Sequence, residues 1–137
     1  MRNALHIFTD GGAIGNPGPA GVGIVIKKQG KTIKKFAKYI GETTNNVAEY
    51  TGVIEALKWL IANSKWRIEK IEFFLDSKLV VNQLNGLFKI KDYKMRNLAV
   101  KVRELEGEVG GNIFYHHIPR ERNKEADSLV KSVFKKL

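Results

Sequence analysis

The apolar pattern changes period near residue 45, and that switch limits the possible folds more than any other feature of the chain. Before it, Ala4 to Asp10 alternates as a strand and runs into a glycine-rich turn, Gly11 to Gly21. Val22 to Ile26 and Thr32 to Ile40 read as two further strands around a turn at Gln29-Gly30. Three strands joined by short turns predict an antiparallel meander. After the switch, Val47, Tyr50, Ile54, Leu57 and Ile61 recur at helical spacing, which predicts an amphipathic helix from about Asn46 to Asn63.

The rest of the chain alternates between the two periods. Lys70 to Asp76 is expected as a strand and Ser77 to Leu84 as a short helix stopped near Asn85-Gly86. Met95, Leu98, Val102, Leu105 and Val109 mark another helix, ending before Gly110-Gly111. Asn112 to Ile118 follows as a fifth strand. Asn123 then caps a last helix with Ala126, Val130, Val133 and Leu137 along one side. The order β-β-β-α-β-α-α-β-α predicts an α/β fold. Its mixed five-stranded sheet is antiparallel at first, then parallel, with helices on both faces. No linker, repeat or low-complexity tract interrupts the pattern, so residues 1–137 are expected to form one domain. In open α/β sheets the chemistry gathers at the carboxyl ends of parallel strands. The residues to examine therefore lie where strands end and helices begin.

Composition narrows the chemistry. The chain has no cysteine, which excludes disulfide scaffolds, thiolate metal sites and cysteine nucleophiles. Met1 to His6 enters a folded pattern at once, with no secretory segment, and no apolar run approaches the roughly 20 residues that span a bilayer. A cytoplasmic protein without a membrane partner is the expectation. Lysine and arginine total 24 against 14 acids, a net charge of +10 that suits a polyanionic partner. The cations gather in two runs, Lys27 to Lys38 and Lys78 to Arg103, although charge runs in general are more often solvated faces.

Four acids stand at element ends. Asp10 and Asp76 close strands; Glu49 and Asp127 lie in first helical turns. Each has a structural alternative. Asn46-Val-Ala-Glu49 has the form of a capping box, with Asn46 as the cap, and Asp76 could cap the helix after it. Asp127 would favour a helix dipole, and Asp10 could bond its glycine turn. As a group they are harder to dismiss, because clustered carboxylates repel unless protons or cations compensate them. An oxygen-only ligand set selects hard cations, Mg²⁺ or Mn²⁺, and two such ions suit displacement at phosphorus.

The motifs that carry these acids run from Phe8 to Gly21 (FTDGGAIGNPGPAG), Thr43 to Tyr50 (TTNNVAEY), Leu75 to Ser77 (LDS) and Ile118 to Asp127 (IPRERNKEAD). In this order they resemble type 1 ribonuclease H over nearly the whole chain. The resemblance implies a ribonuclease H-like sheet and a catalytic metal site of Asp10, Glu49, Asp76 and Asp127. It also implies two Mg²⁺ ions, with Mn²⁺ as a substitute, and cleavage of the RNA strand of RNA–DNA hybrids to 5′-phosphate and 3′-hydroxyl ends. Hybrid recognition must sense 2′-hydroxyls on one strand only. By resemblance that falls to Gly11, Gly12, Asn16, Asn45 and Asn46 in the minor groove, with Thr44 and Asn97 gripping a DNA-strand phosphate. A monomer is expected, and double-stranded RNA stays open as a second substrate.

The chain also departs from the family. The segment Asn85 to Arg96 is too short for the basic protrusion of many members, and Lys89, Lys91 and Lys94 are the cations left to replace it. Lys78 stands where the family has an amide. The loop that normally holds a mobile histidine is shortened to Pro119–Asn123, and Arg120 is the expected replacement, a fixed fork of donors suited to phosphate. Glu121 and His117 are the alternatives. Two rival functions compete with this one: a related nuclease of the same fold acting on other nucleic acids, and a silent nucleic-acid-binding module. The intact asparagine motifs argue against the first, and the four acids against the second, since a polyanion binder gains nothing from clustered carboxylates.

Overall fold

In a computed structural model, which describes residues 4–63 and 70–137, the strands form one sheet in the order β3-β2-β1-β4-β5. Residues 1–3, read from the sequence as entering the folded pattern, lie outside the described residues. Strand β1 (Ala4–Ala13) is central; it pairs antiparallel with β2 (Gly18–Lys28), which pairs antiparallel with β3 (Lys31–Thr43). On its other side β1 pairs parallel with β4 (Lys70–Leu75), and β4 with β5 (Asn112–His117). The helices are α1 (Asn45–Ala62), α2 (Lys78–Leu84), α3 (Tyr93–Val109) and α4 (Lys124–Phe134), the last preceded by a 3₁₀ turn at Arg120–Arg122. Mixed sheet, pairing directions and element order agree with the sequence pattern. No helix among the described residues is long and apolar enough to cross a membrane.

One expectation needs correction. The glycine-rich segment is mostly strand, not turn. β1 continues through Gly11 and Gly12 to Ala13, β2 begins at Gly18, and only residues 14–17 connect them, closed by Ile14 N–H donating to the Pro19 carbonyl at 2.8 Å. Glycine is a poor strand former, but here ladder bonds to β1 and β3 override propensity. Tight helix packing also demands it. A Cβ on Gly11 would lie 2.3 Å from the Ala48 carbonyl of α1, and one on Gly23 would lie 2.3 Å from the Ala126 carbonyl of α4. Gly11 and Gly23 sit on opposite sheet faces, since Gly23 pairs with Asp10, one residue out of phase with Gly11. Helices α1 and α4 therefore flank the sheet from the two sides.

The core lies mainly between the sheet and α1 with α3. Leu5, Ile7, Val53, Leu57, Ile71, Phe73 and Leu75 are essentially fully buried there, each worth about 1.5–3 kcal/mol relative to exposure. Strand β3 is an edge, and Lys31, Lys34, Lys35 and Lys38 along it blunt that edge against pairing with other chains. Lys27 and Lys38 also pair with Glu125 and Glu55, both at 3.0 Å. Much of the first basic run thus has a structural use.

Candidate active site

Because β1 and β4 are parallel neighbours, Asp10 near the carboxyl end of one and Asp76 just after the other come together at the same end of the sheet. Glu49 arrives from α1. The capping-box reading of Glu49 is wrong: the cap is Thr44, whose Oγ1 accepts from the Val47 amide at 3.2 Å. With the helix beginning at Asn45 instead of after Asn46, Glu49 lies five residues past the cap and turns toward the sheet. Its Oε1 accepts from the Gly11 amide at 3.2 Å, and Glu49 is buried. Likewise Ser77, not Asp76, caps α2, with Oγ accepting from the Val80 amide at 3.3 Å.

Asp10, Glu49 and Asp76 each offer an oxygen within 4.8 Å of the others. Burial pushes the Asp10 carboxyl up to about 7; the charges of Asp76 and Asp127 add to the rise, while hydrogen bonds from Glu49 and the Gly11 backbone oppose it. Burial and then the Asp10 charge hold Glu49 well above the ordinary carboxylate range. Glu49 Oε2 is buried without a hydrogen-bond partner among the described residues. Such a trio is unfavourable as bare anions and becomes favourable with a cation. Its donors are all oxygen, which fits a hard divalent ion.

Asp127, in the first turn of α4, lies outside that trio. Its Oδ2 sits 2.9 Å from Lys131 Nζ, yet both line the same open hollow of about 410 Å³ as the three clustered acids. Gly11, Gly12, Asn45, Asn46 and Arg120 line it too. Glu121 instead faces a separate cleft with Phe8 and Arg122. His117 is exposed at the end of β5, and His6 binds Glu72 on the open sheet face, with Nε2 3.2 Å from Oε2.

The asparagines lock the first turn to the start of α1. Asn45 Oδ1 accepts from the Ala13 amide, and Asn16 Oδ1 accepts from the Asn45 amide, both at 2.8 Å. Asn16, Thr44 and Asn46 line a second hollow of about 390 Å³ together with Lys94. Asn97 is exposed on α3 and does not line it. Lys78 is exposed at the first position of α2.

Sequence reasoning missed the use made of Asn123. It occupies the cap position of α4, but its side chain makes no cap bond. Its Nδ2 donates instead to the Thr9 carbonyl at 2.9 Å and to Asp76 Oδ2 at 3.1 Å. No local signal separates the two uses, since asparagine is also a common cap.

A family model described as reverse transcriptase-like matches residues 8–133. A curated ribonuclease HI of Halobacterium salinarum is 38% identical over 128 residues, which is 92% of this chain and 62% of that protein. The chain thus spans less than two thirds of that relative's length. Among solved structures, LC11 ribonuclease H1, isolated from compost, is 43% identical with a TM-score of 0.92, covering 98% of this chain and 97% of that one. The same enzyme in complex with an RNA/DNA hybrid is 44% identical with a TM-score of 0.89, covering 93% and 94%.

Proposed function

The chain belongs to the type 1 ribonuclease H family, and from that premise we propose that it is an endonuclease that hydrolyses the RNA strand of RNA–DNA hybrids to 5′-phosphate and 3′-hydroxyl ends. The observation that carries this reading is the buried trio of Asp10, Glu49 and Asp76, with an unpartnered Glu49 oxygen, opening onto a hollow that holds Asp127 and Arg120. Those four acids would hold two divalent ions, Mg²⁺ with Mn²⁺ as a substitute, which supply an activated water and stabilisation of the leaving 3′-oxygen. The chain's own groups orient the reaction. The Gly11 amide fixes the Glu49 carboxylate, and the Arg120 guanidinium supplies a forked donor to the phosphate. With Asn16 and Asn45 fixed through their Oδ1 atoms, their side-chain amides would read the groove beside Gly12 and Asn46. Thr44 lies in the second hollow with Lys94, where a strand phosphate would sit; Asn97, outside that hollow and further along α3, would contribute only if the strand continues past it.

All four acids come from one chain, which supports a monomer as the active unit. The test is cleavage of an RNA–DNA hybrid, double-stranded RNA and double-stranded DNA by the same sample with added Mg²⁺. Internal cuts in the RNA strand of the hybrid alone are expected. Cutting of double-stranded RNA as well would widen the substrate class, and cutting of DNA would favour a related nuclease of the same fold. Absence of any cutting would leave a binding module.

A further inference from the structure

We infer that Asn123 is the positioning residue that assembles the acidic site, acting through Asp76. The inference rests on the metal-site reading above. An asparagine amide carries two N–H donors, and the buried Asn123 uses them on two acceptors, Asp76 Oδ2 at 3.1 Å and the Thr9 carbonyl at 2.9 Å. Thr9 is the residue immediately before Asp10. On the main chain, the Asn123 carbonyl accepts from the Asp127 amide at 3.1 Å. One residue thereby joins the strand of Asp10, the carboxylate of Asp76 and the first turn bearing Asp127.

The chemistry leaves few replacements. With Oδ2 tethered, the carboxylate cannot rotate, and the direction of Asp76 Oδ1 is set. An aspartate at 123 would place a fifth carboxylate against Asp76, and a serine offers a single hydroxyl hydrogen on a shorter stem. The opposite side of the amide supports the same orientation. Asn123 Oδ1 is buried without a partner among the described residues, an arrangement that costs free energy and persists because turning the amide over would set its oxygen against the carboxylate. Outer ligands of this kind ordinarily change metal affinity by about 10- to 100-fold.

The experiment is isothermal titration of Mn²⁺ into metal-free protein, without substrate, for wild type, Asn123→Ala and Asn85→Ala. Asn85 is the matched control, because its Nδ2 donates to the Tyr115 carbonyl at 3.1 Å away from the acids. Asn123→Leu keeps the buried volume without the donors and serves where the alanine form does not fold. Mn²⁺ affinity is expected to fall about 10- to 100-fold in the Asn123 variants and to stay unchanged in Asn85→Ala. Combining Asn123→Ala with Asp76→Asn should add nothing further, since both act through one carboxylate. A folded Asn123 variant binding Mn²⁺ within twofold of wild type would overturn the inference while leaving the metal site intact. Wild type failing to bind Mn²⁺ would overturn the metal-site reading itself, and this inference with it.

Discussion

Gly11 and Glu49 are joined twice: the Gly11 amide donates to Glu49 Oε1 at 3.2 Å, and a Cβ on Gly11 would lie 2.6 Å from the Glu49 backbone nitrogen. The side chain of the helix acid is thus held by a strand position that only glycine can occupy. Gly11→Ala must push α1 away from β1. It is expected to destabilise the fold by about 1–3 kcal/mol in urea unfolding, and to lower turnover by more than the stability loss explains, because Glu49 moves with the helix. Full activity in a folded Gly11→Ala protein would show that the contact does not set the site.

Asp10→Asn removes one of the crowded carboxylates. Cleavage is expected to fall at least about a thousandfold, roughly 4 kcal/mol of barrier, while hybrid affinity, measured by fluorescence anisotropy, stays largely intact. The metal-free protein should melt at a higher temperature than wild type, since a buried charge has been replaced by a neutral isostere. Equal losses of binding and turnover, with the fold intact by circular dichroism, would contradict the catalytic assignment.

The metal-free protein should lose stability as pH rises. Asp10 has its folded pKa raised to about 7 from an ordinary 3.8, with burial as the first cause, so between these values the folded state binds more protons than the unfolded one. The slope of unfolding free energy against pH is then negative, about 1.4 kcal/mol per pH unit for one such group. Glu49, also raised, acts in the same direction. Burial would raise Glu72 too, but its hydrogen bond to His116 and the charges of Lys70, His116 and His6 hold it below 4.5. Its contribution is lost only as pH falls below the ordinary carboxylate range, outside this window. Urea melts from pH 5 to 8 should show the decline, and Mg²⁺ should reverse it. Metal-free stability that climbs across this range would refute the crowded-acid account.

Arg120 and Glu121 are adjacent in sequence but face different hollows, and only Arg120 faces the acids. Arg120→Ala is expected to lower turnover roughly ten- to a hundredfold, about 1.4–2.8 kcal/mol, with little change in Mn²⁺ affinity. Glu121→Ala should cost much less. If single-turnover rates show the reverse order, or if His117→Ala is the damaging change, the phosphate role belongs elsewhere in this loop.

What the sequence determined by itself is whatever depends on neighbours along the chain. Alternation in Leu5, Ile7 and Thr9, and the helical spacing of Tyr50, Ile54 and Leu57, define which elements form and in what order. Element order with the handedness of crossovers then brings the ends of β1 and β4 together, so Asp10 and Asp76 are legible as a pair from the sequence. The shared motifs extended this to Glu49 and Asp127. Tertiary structure alone decided which way each polar group turns. Glu49 could have capped its helix and Asn123 could have capped α4; both instead bond across elements, over separations of 38 residues to Gly11 and 47 to Asp76. Gly11, Gly12, Gly18 and Gly21 read as a turn locally but lie in strands through ladder pairing, and α1 against Gly11 and α4 against Gly21 leave room for no side chain there. Capping, turn and strand preferences differ by only about 1 kcal/mol per residue. Burial, close packing and satisfaction of a buried carboxylate each outweigh that, and all three exist only once distant segments meet.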